Sequence, residues 1–141
     1  MSWEDRSIEH SIAEEHRRLD ALFEEILVAM REHEPPEAIR DAFARLREAL
    51  ESHIDQEDRL YYPSLRALRP AHRDVLYSLA AAHDVFRTRL EEIDTRLGAR
   101  DLGAAERAIG AFGEAFAAHE LTEERLLAHI DAEVAATASD R

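Results

Sequence analysis

This sequence predicts an all-α fold, an antiparallel up-down-up-down four-helix bundle. Three observations carry that expectation. Strong helix formers (Ala, Leu, Glu and Arg) dominate, while only four glycines and four prolines punctuate 141 residues. Breaks fall at three places and leave four long segments. Each segment bears an apolar stripe whose steps alternate between three and four residues, the spacing of a helix face that buries in a bundle core.

The first helix is expected over about residues 5–32, with a seam of Ile12, His16, Leu19, Phe23, Ile26 and Met30. It ends before His33-Glu34-Pro35-Pro36, where two prolines forbid continuation and Pro36 suits the first turn of a new helix. The second helix, 36–61, has the seam Ile39, Phe43, Leu46, Leu50, His53, Glu57, Leu60. A connection with room for one helical turn is then expected from Tyr62-Pro63 to Pro70. The third helix, 71–97, aligns Leu76, Leu79, His83, Phe86, Leu90, Ile93 and Leu97. Its stop is Leu97-Gly98-Ala99-Arg100-Asp101, with Gly98 expected as a left-handed cap and Asp101 as the next N-cap. The fourth helix, 102–136, aligns Ile109, Phe112, Phe116, His119, Glu123, Leu126 and Ile130, and the tail Ala135–Arg141 is expected to fray.

Composition limits the function classes. At this length, 1–141 suits a single domain with one core. Against 31 acidic residues stand only 18 Lys and Arg, a net charge of −13, which argues against nucleic acid and anionic membranes as partners. The absence of cysteine excludes disulfides, thiolate metal sites, iron–sulfur clusters and thiol nucleophiles. Any metal must be held by nitrogen and oxygen. The N-terminus carries no basic leader followed by an apolar stretch, and no window approaches a membrane span, so a cytoplasmic location is expected.

The seams are apolar except at six positions: His16, His53, Glu57, His83, His119 and Glu123, with a histidine on every helix. An unpaired carboxylate or imidazole in a hydrocarbon core costs several kcal/mol, and six would rival the whole ~5–15 kcal/mol stability of a domain. These residues must satisfy one another or bind something. In an antiparallel hairpin, two residues share a level when their midpoint falls in the turn. The midpoints of His16/His53, His53/His83 and His83/His119 fall at the first, second and third breaks respectively, so all four histidines are expected in one layer. In helices two and four the glutamate follows the histidine by four residues, which is about 40° of net rotation and ~6 Å of rise, so both face inward. Each helix pair repeats the order His, His, Glu. Two half-sites, each bringing two imidazoles and a carboxylate able to bridge, meet the needs of a dinuclear metal centre. A metal-free His–Glu network that fixes helix register is the competing reading.

With these residues in hand, the chain resembles the hemerythrin-like, or HHE cation-binding, domains, which are four-helix bundles with a non-haem di-iron centre. The resemblance spans about Ile8 to Ile130. It rests on His16, on His53-Ile54-Asp55-Gln56-Glu57 followed by Leu60-Tyr61-Tyr62-Pro63, on His83, and on His119-Glu120-Leu121-Thr122-Glu123. It implies two iron ions joined by an oxo or hydroxo bridge, with His16 and His53 on one, His83 and His119 on the other, and Glu57 and Glu123 bridging. Zinc or manganese suits the same donors. The oxygen carriers of the family have a second histidine one turn away on the third helix and an aspartate in the last motif. Here Leu79 and Arg87 flank His83, and the last motif ends in Glu123, so simple oxygen transport is in doubt. Glu120 is placed to reach the second iron, and Tyr61, Tyr62 or Tyr77 to approach the centre.

The implied function is binding of dioxygen, nitric oxide or peroxide, in oxygen, oxidative or nitrosative stress handling or in iron homeostasis. The alternatives are an enzyme that turns over peroxide or nitric oxide with an electron donor, and a non-redox bundle that holds zinc or a protein partner. Elsewhere the plain reading is preferred. His10, His33, His72 and His129 are expected on the solvated surface, and Glu14-Glu15 with Arg17-Arg18 on a solvated face. Phe23, Phe43, Phe86, Phe112 and Phe116 are expected in the core, with Phe86 and Phe116 limiting water near the ligands. Gly103, Gly110 and Gly113 are attributed to close helix approach.

Overall fold

The computed structural model describes residues 3–139, with side chains from Ile8 to Thr137. Regular structure among them is helical throughout. Helices α1 (Trp3–Arg31) and α2 (Pro36–Gln56) are followed by a π-helical turn (Glu57–Tyr61) and α3 (Tyr62–Leu68). A 3₁₀ turn (Pro70–His72) then leads to α4 (Arg73–Gly98) and α5 (Leu102–Ser139). No helix among the described residues is long and apolar enough to cross a membrane.

Two short loops close in the same way. His33 (φ 53°) and Arg100 (φ 61°) take the left-handed conformation. In each loop the next residue reaches back five positions: Glu34 N–H donates to Ala29 O at 3.1 Å, and Asp101 N–H to Arg96 O at 3.0 Å. This is the Schellman closure, which satisfies carbonyls that a helix end leaves open. Gly98 is therefore not the left-handed cap. The helix runs through it, and the left-handed residue sits immediately before Asp101, because the next helix starts there. Asp101 is the N-cap as expected, its Oδ1 accepting from Ala104 N–H at 3.2 Å. Pro36 occupies the first turn of α2.

The second break departs from expectation. Helical structure continues past Pro63 to Leu68, so most of the expected connection is helix. Tyr62 N–H donates to Glu57 O, five residues back, and this wider turn restarts the helix so that Pro63 falls in the first turn of α3, where its missing N–H has no intrahelical role. The true break is Arg69, extended at φ −136°, as a residue preceding proline must be. The tail also differs. Helix α5 reaches Ser139 because Ala-rich sequence favours it and Val134 is buried; Asp140 and Arg141 lie outside the described residues.

The contacts between helices fix their relative order. Glu15 meets His53 and Glu25 meets Arg45 across α1 and α2. Asp58, in the π turn that follows α2, meets Arg87 at 2.9 Å, while Arg47 meets Glu91 at 3.0 Å. Across α1 and α5, His16 meets Glu120 and Phe23 meets Phe112. In each case one partner's number falls as the other's rises. The apolar seams form two clusters. One joins Leu19, Ile26, Phe43, Leu50, Leu90 and Phe112 with their neighbours; the other joins Ile12, Tyr62, Leu65, Leu76, Leu126 and Ile130. Each such fully buried aliphatic side chain contributes about 1.5–3 kcal/mol. Phe43, Phe86, Phe112 and Phe116 are core, with Phe23 packed against them. Close approach does not explain Gly110, where a methyl would meet nothing within 4 Å, nor Gly103, which faces only an arginine of its own helix; Gly113 faces Phe23 at ordinary contact distance.

Candidate metal centre

Along α1, α4 and α5 the polar seam residues lie between the segments that build the two apolar clusters, and His53 and Glu57 stand where α2 passes from the first cluster toward Tyr61 and Tyr62 of the second, so the folded chain gathers them into one layer. All six are buried: His16, His53, Glu57, His83, His119 and Glu123. The Nε2 atoms turn inward. Glu57 Oε1 lies 3.3 Å from His53 Nε2 and 3.2 Å from His83 Nε2. Glu123 Oε1 lies 3.1 Å from His119 Nε2 and 4.0 Å from His16 Nε2. His83 and His119 bring their Nε2 atoms to 3.2 Å. Two overlapping donor groups result, His16/His53/Glu57/Glu123 and Glu57/His83/His119, each with ligand atoms within 4.8 Å of one another.

The outer Nδ1 atoms of three of these rings meet carboxylates that periodicity did not single out as partners. His83 Nδ1 donates to Asp58 Oδ1 at 2.7 Å, and Arg87 holds the other oxygen of Asp58 at 2.9 Å. His53 Nδ1 donates to Glu15. His16 Nδ1 faces Glu120 at 3.2 Å and Glu124 at 3.3 Å. A carboxylate accepting from Nδ1–H places the lone pair on Nε2, the tautomer an inward-facing metal requires. Glu15 is thus not simply part of a solvated face. Glu120 does not reach the His83/His119 side either; one residue past His119, it has rotated about 100° toward α1 and backs His16 instead.

Of the three tyrosines, Tyr62 belongs to the centre. Its ring stacks on His83 with centroids 5.4 Å apart, and its hydroxyl lies 3.5 Å from His119 Nε2. Tyr61 turns its hydroxyl to Gln56, and Tyr77 is exposed beneath the Arg66 guanidinium. Phe86 and Phe116 pack against His119, and Phe116 also meets His53, closing the apolar side. His10, His33 and His129 are exposed as expected, whereas His72 is half-buried against Glu133.

Burial shapes the protonation states. It lowers His16 and His83, which favours neutral imidazoles. Burial first, and then the adjacent Glu123 carboxylate, push Glu57 well above the usual carboxyl range. Glu123 is buried too, which by itself would raise it, yet Glu57 and the imidazoles of His119 and His53 hold it down to about 2. Without a cation the pair therefore retains one proton, because two carboxylates at such range do not both ionise. Glu120 is raised to about 8 by burial and then by Asp20, Glu123 and Glu124. Burial, followed by Glu123 and Glu57, raises Tyr62 far above its ordinary value, so its phenol keeps its proton.

The hydrogen-bond inventory leaves the inner face open. His16 Nε2, His53 Nε2 and both carboxylate oxygens of Glu57 and of Glu123 are buried without a hydrogen-bond partner. Native interiors leave few such atoms, and each costs about 1–3 kcal/mol. Six in one layer, all nitrogen and oxygen, fit a cation site better than a register network, whose groups would be hydrogen-bonded to one another. A family model, the hemerythrin HHE cation binding domain, matches residues 7–133. Comparison with curated proteins and with solved structures found no significant match.

Proposed function

The chain belongs to the hemerythrin HHE cation binding domain family, and from that membership we propose that it is a non-haem di-iron protein that binds dioxygen, nitric oxide or peroxide. The reading takes residues 1–141 as one domain and the four long helices as an antiparallel up-down-up-down bundle, supported by the opposed order of their contacts. The observation that carries it is the set of six buried ligand atoms on His16, His53, Glu57 and Glu123 that make no hydrogen bond. In this reading His16 and His53 hold one iron and His83 and His119 the other, with Glu57 and Glu123 between them.

When bound, the two irons supply redox change and coordination positions that the protein leaves free. The protein supplies the rest. Asp58 and Glu15 fix the imidazoles of His83 and His53 from behind and raise their basicity as ligands, while Glu120 and Glu124 back His16. Glu57 gives up its proton as the second carboxylate becomes paired. Tyr62, which keeps its proton, presents an O–H donor at the His83/His119 side. Phe86 and Phe116 exclude bulk water there.

The oxygen carriers have a further histidine one turn away on this helix, whereas His83 has Leu79 one turn before it and Arg87 one turn after. Here Arg87 pairs with Asp58 and Asp84 rather than facing the inner layer. One fewer nitrogen ligand favours reaction with small ligands, in stress handling or iron homeostasis, over simple carriage. A cleft of about 330 Å³ between α1 and α2, lined by Arg18, Leu22, Arg45 and Ser52, has Glu15 and His53 in its wall and offers an approach.

The test is to load the protein with ferrous iron anaerobically and add nitric oxide, dioxygen or hydrogen peroxide separately. New visible absorption in stoichiometric proportion to protein is expected with at least one of them. A protein that takes up iron yet stays spectrally unchanged with all three would overturn ligand binding.

A further inference from the structure

A second gathering of imidazole and carboxylate lies away from the central layer, where the segment joining α3 to α4 meets α5. His72 ends the 3₁₀ turn Pro70–His72 and directly precedes α4. His129 and Glu133 lie one turn apart on α5. His72 Nε2 is 2.6 Å from Glu133 Oε1, and His129 Nε2 is 2.9 Å from the same oxygen. The two rings meet edge to face, with centroids 5.3 Å apart.

We propose that His72, His129 and Glu133 form a second, mononuclear site for a divalent transition-metal ion of the zinc class. Three ligand atoms, one from each residue, lie within 4.8 Å of one another. Tetrahedral coordination with bonds of about 2.0–2.1 Å sets ligand atoms about 3.3 Å apart, so separations from Glu133 that widen by about 0.7 Å at His72 and about 0.4 Å at His129 admit an ion. The donors select its chemistry. Two imidazoles with one carboxylate suit zinc or ferrous iron, whereas calcium and magnesium prefer all-oxygen shells.

The site also differs from the central one in access. The side chain of His129 is 66% exposed and that of Glu133 38%, so water completes the coordination and the ion exchanges freely. His72 supplies the more buried arm, at 15%. The ion would tie the segment before α4 to the late turns of α5, across the apolar cluster that contains Tyr62, Leu76 and Ile130. His129-x-x-x-Glu133 repeats the spacing of His53/Glu57 and His119/Glu123, so the same helical geometry presents nitrogen and oxygen together on one face. Periodicity alone assigns these residues to the surface, because His72 arrives from a different element.

The test uses the full-length protein with its central layer filled by iron, titrated with zinc alone in a calorimeter. One zinc per chain beyond the central complement is expected. His129→Ala and Glu133→Gln should each weaken that event about tenfold or more while iron content and melting temperature before zinc addition stay unchanged. His129 is exposed, so its removal leaves the fold intact, and the glutamine variant keeps the side-chain volume. Because the readout is the zinc lost with His129 and Glu133 from protein whose central layer is already filled, it reports on this triad and not on the central layer. Absence of the extra zinc, or equal binding in both variants and the unmodified protein, would overturn the site and leave a hydrogen-bonded triad.

Discussion

Replacing Asp58 by asparagine tests whether the inner histidines act as ligands oriented from behind. Asp58 Oδ1 accepts from His83 Nδ1 at 2.7 Å, the short range of a charge-assisted bond, and Oδ2 is engaged by Arg87 at 2.9 Å. Asparagine keeps the shape and an oxygen that can accept, but removes the charge that makes His83 a more basic ligand. Outer partners of this kind are worth about tenfold to a hundredfold in metal affinity, about 1.4 to 2.8 kcal/mol. Arg87 already neutralises part of the Asp58 charge, so the lower end is expected. The assay is competition for ferrous iron against a chelator, with Asp84→Asn as control, since Asp84 also bonds Arg87 but not a histidine. Unchanged affinity in Asp58→Asn, or an equal loss in Asp84→Asn, would refute the reasoning.

Two further outcomes are expected. His53→Ala and His119→Ala should each impair iron loading by elemental analysis while His10→Ala loads normally, since His10 is exposed and pairs with Glu14 on its own helix; equal loading in all three would contradict the assignment. Stability should also respond to pH with a slope that metal changes. In the metal-free protein Glu57 and Glu120 are raised, so the folded state retains protons that the unfolded chain releases near 4.5. Their contribution is complete below that value and is lost as pH climbs toward 8, at most about 1.4 kcal/mol per pH unit for each proton. His16 and His83, lowered by burial, act in the opposite sense, but only below about 6.5. Between pH 6.5 and 8 the metal-free protein should therefore lose stability in denaturant melts. The loaded protein should hold or gain it, because bound cations require ionised carboxylates. Parallel slopes would count against a metal at Glu57.

The inward residues were legible because one period governs helix and seam alike: His16, His53, Glu57, His83, His119 and Glu123 stand where apolar residues belong. Their level followed from the loop positions. The residues behind them were harder to find. Asp58 sits in a π turn, which abandons the 3.6-residue period on which the seam analysis depends. Glu15 lies about 100° round from His16, and its reach to His53 depends on how closely α1 and α2 pack. Pro63 read as a break because its effect depends on whether it falls inside a helix or at the start of one, and the π turn creates such a start. Gly98 read as a cap on residue type alone, although Arg100 and His33 accept the left-handed conformation where Schellman closure demands it.

The central claim is that the buried layer holds two irons. The direct measurement is iron per chain after anaerobic ferrous loading and removal of excess, with the visible spectrum recorded before and after air. About two irons per chain and new near-ultraviolet and visible bands on oxidation are expected. A protein that takes up no iron, or stays colourless with stoichiometric zinc, would contradict it.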